Sequence, residues 1–348
     1  MASRFAWLSQ CKLLQLEALA HATGINTSGT KKIIADRLAE QLDVVKSLPG
    51  AKHDAPAPRR RHIVSIDMGI RNLAYCRIVL PPDWPSVREP STPSPLLKEW
   101  ERIGVVPKPG QVIAAPNDTQ QTVKEAFEPS IYADHAYNLI VKLTAEPAPS
   151  HILIERQRFR NMGGSSVLEW TLRVNMFESM LYAVIHTLQK QGHLSQTSVW
   201  PVSPDKIGKF WIRGDDVRWT KEKKVKKHKV DIVSSWLHGR GGGEFTWSEE
   251  VEETVRAWRR AENRGRRNRP AKEPITHITL RKLDDLADCL LQGLAWIKWE
   301  ENKMLILRDD IQSLETFTPL KTRVITNDEE NFHDVLEMKK VNLTATKV

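Results

Sequence analysis

Two short apolar segments of this chain each end on an acidic residue. Residues 62–67, His-Ile-Val-Ser-Ile-Asp, end on Asp67, and residues 152–155, Ile-Leu-Ile-Glu, end on Glu155. Short apolar runs of this composition predict buried strands. A carboxylate at the end of a buried strand is costly unless something positive neutralises it. The fold must therefore bring positive charge to both strand ends.

A third acidic group lies on a predicted helix at residues 280–299, in the sequence Asp284-Asp285-Leu-Ala-Asp288. Residues three or four apart share one side of a helix, so Asp288 can act together with either of the other two. Mg²⁺ prefers oxygen ligands, and two such ions about 4 Å apart can assist the cleavage of a phosphodiester. The acidic residues together predict a divalent-metal site for cutting a phosphate backbone.

Each acidic residue also has a structural interpretation. Asp67 can be a turn residue, Glu155 can pair with Arg156 or Arg158, and the residues 284–288 can form a solvated helix face. Their joint occurrence on two strand ends and one helix favours the metal site.

The charge of the chain indicates the class of partner. Lys and Arg number 52 against 43 Asp and Glu, which gives a net charge of +9. Such a surplus favours a polyanion, with nucleic acid ahead of a membrane surface. No apolar run approaches the roughly 20 residues that span a bilayer, so no membrane partner is expected. The three cysteines are far apart, which argues against a disulfide framework or a zinc site.

Residues 1–48 form a predicted small helical module. Two amphipathic helices are expected, with Gly24 as the stop of the first and Ser28 or Thr30 as the cap of the second. The pattern L-x-x-L-A-x-x-x-G-I-x-x-S-G-T-K-x-x-I-x-x-R-L resembles the SAP motif, a DNA-binding module similar to a helix-turn-helix. A generic helical hairpin is the alternative.

The rest of the chain predicts an α/β domain at residues 62–308, joined to the first module by a Pro-rich linker at 49–61 and followed by a peripheral segment at 309–348. Strands are expected at 62–67, 73–80, 96–106, 151–155 and 197–202, and helices at 119–144, 166–191, 221–238, 248–264 and 280–299. This order favours a mixed five-stranded sheet flanked by helices.

Four motifs, in this order, carry a family resemblance: residues 65–75, 154–160, 169–175 and 282–288. They read Ser-Ile-Asp-Met-Gly-Ile-Arg-Asn-Leu-Ala-Tyr, Ile-Glu-Arg-Gln-Arg-Phe-Arg, Glu-Trp-Thr-Leu-Arg-Val-Asn and Lys-Leu-Asp-Asp-Leu-Ala-Asp. The chain resembles the fungal mitochondrial cruciform-cutting endonucleases. These are Holliday junction resolvases of the RuvC-like, RNase H-like superfamily.

The resemblance implies an RNase H-like fold, a mitochondrial location and a homodimer that nicks a four-way DNA junction symmetrically. It implies Mg²⁺ as the cofactor, with Mn²⁺ as a substitute and two ions in each active site; no small-molecule substrate is implied. By position, the catalytic and metal-binding residues are Asp67, Glu155, Asp284, Asp285 and Asp288. Related bacterial enzymes space their last two acidic positions three apart, which selects Asp285 and Asp288 but leaves Asp284 open.

Basic residues supply the candidates for DNA contact. They lie in a loop after Glu155, in two basic stretches at residues 218–229 and 256–269, and in the SAP-like module. The candidates are Lys31, Arg156, Arg158, Phe159, Arg160, Lys227, Lys229, Arg259, Arg260, Arg266 and Arg267. Cationic side chains neutralise phosphates, and Phe159 can stack on an unpaired base. Solvated faces and a core position for Phe159 are the alternatives.

Three functions fit these features. The first is a junction-resolving nuclease, in which the helix at 166–191 makes the dimer contact because its apolar residues exceed what one core contact needs. The second is a SAP-containing nucleoid protein that binds branched DNA without cutting it, and the third is an actin-like ATPase. A non-cutting binder has no use for four carboxylates that repel DNA, and no further Gly-rich phosphate loop is visible, so the sequence favours the nuclease.

Overall fold

The computed structural model describes residues 5–46, 61–82, 84, 93–105, 112–114, 120–122, 128–145, 147–157, 169–212, 222–240, 245–267 and 283–308. These residues belong to two compact units. The first unit takes its described residues from Met1–Pro56, Asp83–Glu89 and Trp296–Val348, and the second from Ala57–Pro82 and Pro90–Ala295. Nearly all of the predicted linker at 49–61 and the whole of the segment at 309–348 lie outside the described residues.

The first unit contains the predicted helical pair. A 3-10 turn at Ala6–Gln10 leads into α1 (Leu13–Ala22), and α2 (Lys31–Lys46) follows. Gly24 ends α1 as predicted, since its φ of 68° is a left-handed conformation that favours glycine. Of the two predicted caps, Thr30 serves α2, because its hydroxyl oxygen accepts the backbone N–H of Ile33 at 3.4 Å.

The core of this unit also includes the end of the last helix of the chain. Leu16, Leu19, Leu38 and Leu42 are buried together with Ile306. The side-chain amide of Asn302 donates to the carbonyl of Ala22 at 2.7 Å. The helical module therefore packs on residues more than 250 positions away in the chain.

The second unit is built on a mixed six-stranded sheet in the order β7-β6-β1-β2-β3-β8. The strands are β1 (His62–Asp67), β2 (Leu73–Val79), β3 (Leu96–Ile103), β6 (His151–Glu155), β7 (Ser198–Val202) and β8 (Thr246–Trp247). β1, β2 and β3 are antiparallel neighbours, whereas β6 is parallel to β1, β7 to β6 and β8 to β3. The predicted mixed sheet is confirmed. The predicted count of five strands is wrong, because β8 has two residues and leaves no strand pattern in the sequence.

A second correction concerns the helix predicted at 119–144. The short strands β4 (Val112–Ala114) and β5 (Gln120–Thr122) pair in a separate two-stranded sheet, and α3 begins only at Pro129 (Pro129–Thr144). Proline has a fixed φ and no N–H to donate, so it favours the first turn of a helix. The remaining helices are α4 (Glu169–Lys190), α5 (Pro204–Trp211), α6 (Glu222–Leu237), α7 (Glu249–Arg267) and α8 (Leu283–Arg308).

Helices cover both faces of the central strands, and every residue of β1 and β2 is buried. One face packs on α3 and α4 through a cluster that includes Ile66, Tyr75, Tyr132 and Phe177. None of the helices among the described residues is both long enough and apolar enough to cross a membrane.

The opposite face carries the first half of α8 at close range. A Cβ on Gly293 would lie 2.8 Å from Cδ1 of the buried Ile78 and 3.4 Å from Cβ of Ser65, so the helix approaches the sheet closely at this glycine. Two side chains of the sheet donate to helix carbonyls, Trp100 to Leu286 at 3.0 Å and Ser65 to Cys289 at 2.8 Å. These contacts fix the distance of α8 from the sheet and the orientation of the helix about its own axis.

Candidate active site

Asp67 and Glu155 lie side by side at the carboxyl ends of two parallel strands. Ile66 pairs with Ile154 in the ladder between β1 and β6, and the two acidic residues follow this pair directly. Glu155 is close enough to Asp67 to raise its pKa, and it accepts the backbone N–H of Met68 at 3.2 Å. Asp67 is 9% exposed, so it is not a solvated turn residue.

The first turns of α8 bring the acidic cluster to the same place. Asp284, Asp285 and Asp288 are each partly buried. The charges of Asp288 and Asp285 both act on Asp67, and the charge of Glu155 acts on Asp288. All five predicted acidic residues thus converge, through two strand ends and one helix, on one side of the sheet.

A basic side chain contacts each of the three helix carboxylates. Lys226 of α6 lies 3.3 Å from Asp284, and Lys229 of the same helix lies 2.8 Å from Asp288. Arg102 of β3 lies 3.6 Å from Asp285 and donates to the side chain of Asn72 at 3.4 Å. The carboxylate cluster is therefore balanced by cations from two other elements.

Burial and mutual repulsion dominate the protonation of the buried acids. Burial, followed by the hydrogen bond and charge of Glu155, raises the pKa of Asp67 well above its ordinary value. Burial also raises the pKa of Asp288, while Lys229 opposes this shift. Both shifts have burial as their largest cause, since burial disfavours the charged form of a carboxyl group.

The chemistry of the donors fits hard divalent cations, because carboxylate oxygens are the ligands that Mg²⁺ prefers. Among the described residues, however, no set of three or more His, Cys, Asp or Glu side chains stands arranged to hold a metal ion. Arg102 and Lys229 each pair with one of these carboxylates. An ion at this position would have to compete with those basic side chains.

The segment that leaves β6 is held by two polar residues. The side-chain amide of Gln157 donates to Glu155 at 3.3 Å, and its backbone N–H donates to Glu178 of α4 at 3.0 Å. Burial raises the pKa of Glu178, and the charge of Arg156 opposes this shift. Glu155 is thus fixed through hydrogen bonds rather than through the structural ion pair with Arg156 that the sequence also allowed.

Sequence reasoning missed Arg102, although a signal for it exists in the strand register. Asp67 pairs with Ala74 across β1 and β2, and Ala74 pairs with Arg102 across β2 and β3. Residues in register across adjacent strands point to the same face of a sheet. The small side chain of Ala74 leaves Arg102 room to reach the carboxylates.

The candidates for DNA contact lie in different places: at the carboxylate cluster, on exposed helix surfaces, and outside the described residues. Lys229 lies at the carboxylate cluster, and Lys227 is exposed on the same helix. Lys31 is exposed at the start of α2 in the first unit. Arg156 acts on Glu178 through its charge. Arg158, Phe159 and Arg160 lie outside the described residues, so no contact is assigned to them.

The candidates on α7 have mostly local partners. Arg259 donates to the carbonyl of Leu237 at the end of α6, and Arg260 pairs with Glu253 of its own helix at 2.7 Å. The backbone of Arg266 and Arg267 continues the last turn of α7, and their side chains lie outside the described residues. Arg259 therefore joins the end of α6 to α7, in addition to any contact with a phosphate.

Comparison with known proteins identifies relatives over most of the chain. Residues 63–306 match the family model described as mitochondrial resolvase Ydc2 / RNA splicing MRS1. The "Cruciform cutting endonuclease 1, mitochondrial" of Schizosaccharomyces pombe is 29% identical over 84% of this chain and 94% of its own length. The protein of the same name from Saccharomyces cerevisiae is 25% identical over 84% of this chain and 82% of its own length.

A solved structure shares the fold. The crystal structure of the yeast mitochondrial Holliday junction resolvase Ydc2 aligns with a TM-score of 0.53 at 25% identity and covers 86% of this chain and 98% of its own. The resemblance that the four sequence motifs indicated is confirmed, and the actin-like alternative is contradicted by the family match. This chain belongs to the mitochondrial resolvase Ydc2 / RNA splicing MRS1 family.

Proposed function

We propose that this protein is a mitochondrial endonuclease that resolves four-way DNA junctions by paired, symmetrical nicks in opposing strands. The observation that supports the proposal is that Asp67, Glu155 and Asp288, from two strand ends and a helix, lie close enough for their charges to act on one another. Family membership and relatives named cruciform-cutting endonucleases supply the reaction. The RNase H-like assignment of the sheet and the SAP-like assignment of residues 1–48 belong to the same proposal.

Asp67, Glu155, Asp288 and Asp285 would hold two Mg²⁺ ions, with Mn²⁺ as a substitute, and Asp284 lies beside them. Bound ions of this kind activate water for in-line attack on a phosphodiester and stabilise the departing oxygen, which leaves 5′-phosphate and 3′-hydroxyl ends. The protein's own part is to present at least four carboxylates from rigid elements. Glu155 is the most firmly fixed of them, since it accepts hydrogen bonds from both Met68 and Gln157.

The basic partners of the carboxylates have a second use in this reaction. An ion that takes over Asp288 and Asp285 would release Lys229 and Arg102 beside the place where the scissile phosphate binds. A released cation near a phosphate stabilises the extra negative charge of the transition state. In this proposal, Lys229 and Arg102 neutralise Asp288 and Asp285 in the free protein and would contact the DNA once those carboxylates held a cation.

Branched DNA needs a wider basic surface and a second active site. Lys31, Arg156, Lys227, Arg260 and the arginines at the end of α7 are the proposed phosphate contacts. For the homodimer, α4 supplies the contact, because Trp170, Leu172 and Met176 are exposed on it while its other face is buried. A two-fold axis through such a contact would relate the two sites and give paired nicks.

The test uses purified protein, a synthetic four-way junction and a linear duplex of the same sequence, each with Mg²⁺ or with EDTA. Paired nicks at symmetrical positions on the junction alone, present with Mg²⁺ and lost in Asp67→Asn, are expected. Tight junction binding without nicks under every metal condition would instead identify a non-cutting binder of branched DNA. Random cleavage of the linear duplex would contradict junction specificity.

A further inference from the structure

Gln292 is a buried amide at the centre of the contact between α8 and the sheet. It is 3% exposed and lies one helical turn after Asp288, beside the fully buried Leu290 and Leu291. An amide in such a position costs free energy unless it is hydrogen-bonded, and a leucine would fill the same space without this cost. Its presence therefore calls for a specific set of partners.

The side-chain nitrogen of Gln292 faces three oxygens from the two strands that carry the strand-end acids. It lies 3.1 Å from Oγ of Ser65, 3.1 Å from the carbonyl oxygen of Ile66 and 3.5 Å from the carbonyl oxygen of Leu153. The amide has two N–H protons, so Ser65 and Ile66 are its principal acceptors and the carbonyl of Leu153 shares one of these protons at the longer distance. Ser65 in turn donates its proton to the carbonyl of Cys289. One side chain thus joins β1, β6 and α8.

These partners are adjacent in the chain to the proposed metal ligands. Ile66 precedes Asp67, Leu153 is two residues before Glu155, and Gln292 follows Asp288 by four residues. Any change in the separation of α8 from the strands would alter the distance from Asp288 to the other two acids. The amide is therefore placed where it controls the width of the carboxylate cluster.

We infer that Gln292 is a positioning residue that sets the spacing of Asp67, Glu155 and Asp288 and thereby favours a small octahedral cation over a larger one. This inference rests on the proposed function. Mg²⁺ demands near-ideal octahedral geometry with short bonds, whereas Ca²⁺ accepts longer bonds and a variable number of ligands. A cluster that widens or shifts by a few tenths of an ångström loses Mg²⁺ affinity before it loses Ca²⁺ affinity.

The experiment compares Gln292→Leu and Gln292→Met with Gln189→Leu in the full-length protein. Gln189 is the matched control, because its side-chain amide also donates to a backbone carbonyl, that of Thr197 at 2.7 Å, away from the carboxylates. Titration calorimetry with Mg²⁺ and with Ca²⁺, without DNA, gives the two affinities directly. Thermal unfolding in EDTA reports the stability of each variant separately.

Both Gln292 variants are expected to weaken Mg²⁺ binding by about tenfold, the effect of losing a residue that orients metal ligands. Ca²⁺ binding should fall by less than about threefold, and Gln189→Leu should leave both affinities at the wild-type value. Junction nicking at limiting Mg²⁺ should fall in proportion to the lost affinity. Saturating Mg²⁺ should restore most of it.

An equal loss for both ions, or affinities like those of Gln189→Leu, would overturn the inference. If the Gln292 variants do not fold, Ser65→Ala takes their place, because it removes one acceptor of the amide and should shift the same Mg²⁺ to Ca²⁺ ratio in the same direction. An unchanged ratio in Ser65→Ala would then overturn the inference. A wild-type protein that binds neither ion would refute the proposed function itself, which is a separate outcome.

Discussion

Replacing Asp67 by asparagine should stabilise the metal-free protein while abolishing its activity. Asp67 is buried beside Glu155, and the charges of Asp285 and Asp288 also act on it. Asparagine has nearly the same shape and can donate a hydrogen bond to Glu155, but it carries no charge. The substitution therefore removes repulsion from the cluster without opening a cavity.

The size of the effect can be set from Coulomb's law for two neighbouring carboxylates. Two like charges about 4 Å apart repel by about 4 kcal/mol at an effective dielectric constant near 20. Protonation of one acid of the pair relieves part of this repulsion, which is why the pKa of Asp67 is raised. We expect the repulsion that protonation does not relieve to amount to about 1–2 kcal/mol. Asp67→Asn removes this repulsion, so its free energy of unfolding should be higher by that amount and its melting temperature higher by about 2–6 °C.

The assay is thermal unfolding of the wild type and Asp67→Asn in EDTA and in a series of Mg²⁺ concentrations. Ligand that binds only the folded state raises stability in proportion to the logarithm of its concentration. The wild-type melting temperature should rise with Mg²⁺ and overtake that of Asp67→Asn, which should stay nearly constant. Asp134→Asn, an exposed position on α3, is the control and should follow the wild type throughout.

Two results would refute this reasoning. A variant that is less stable than the wild type in EDTA would mean that Asp67 makes a favourable structural contact rather than a repulsive one. A variant that gains as much stability from Mg²⁺ as the wild type would mean that the ion binds elsewhere.

Three further predictions concern the surroundings of the site. Lys229→Met should lower stability in EDTA by about 1–3 kcal/mol, because it leaves Asp288 partly buried without its cation, and Mg²⁺ should recover most of the loss in denaturant titrations. Burial, followed by the charge of Arg61, lowers the pKa of His151 to about 4. The unfolded chain takes up this proton near pH 6.5, so up to about 3 kcal/mol of stability should be lost between pH 6.5 and 4, and His151→Gln should flatten that loss in acid unfolding curves. Junction affinity in binding titrations should fall steeply as salt rises, and a flat dependence would contradict phosphate contacts by the basic residues.

The position of the strand-end acids could be predicted from the sequence because it depends on a local rule. Parallel neighbouring strands end at the same edge of a sheet, so two acids that follow such strands must meet there, as Asp67 and Glu155 do. The end of α1 at Gly24 and the cap at Thr30 depend on equally local chemistry. Predictions of this kind need only the residues themselves and the order of the elements.

The remaining features depend on distances between elements that no local pattern encodes. The two-residue strand β8 exists because β3 offers it an open edge, and Gln120–Thr122 forms a strand because Val112–Ala114 pairs with it. Gln292 looks like an isolated polar residue on an apolar helix until Ser65, Ile66 and Leu153 are brought to it. The roles of such residues can be recognised only after the fold has brought their partners to them.

The ion pairs of the site bear on both metal binding and DNA binding in the proposed function. Lys229 and Arg102 pair with Asp288 and Asp285 and thereby limit the repulsion within the cluster. If Asp288 and Asp285 held a cation, Lys229 and Arg102 would be available to a phosphate, and a phosphate bound to Lys229 and Arg102 would leave the two carboxylates available to the cation. By thermodynamic linkage each ligand must then raise the affinity for the other by the same factor. Within the proposed function, the basic side chains beside the carboxylates would therefore couple DNA binding to metal binding.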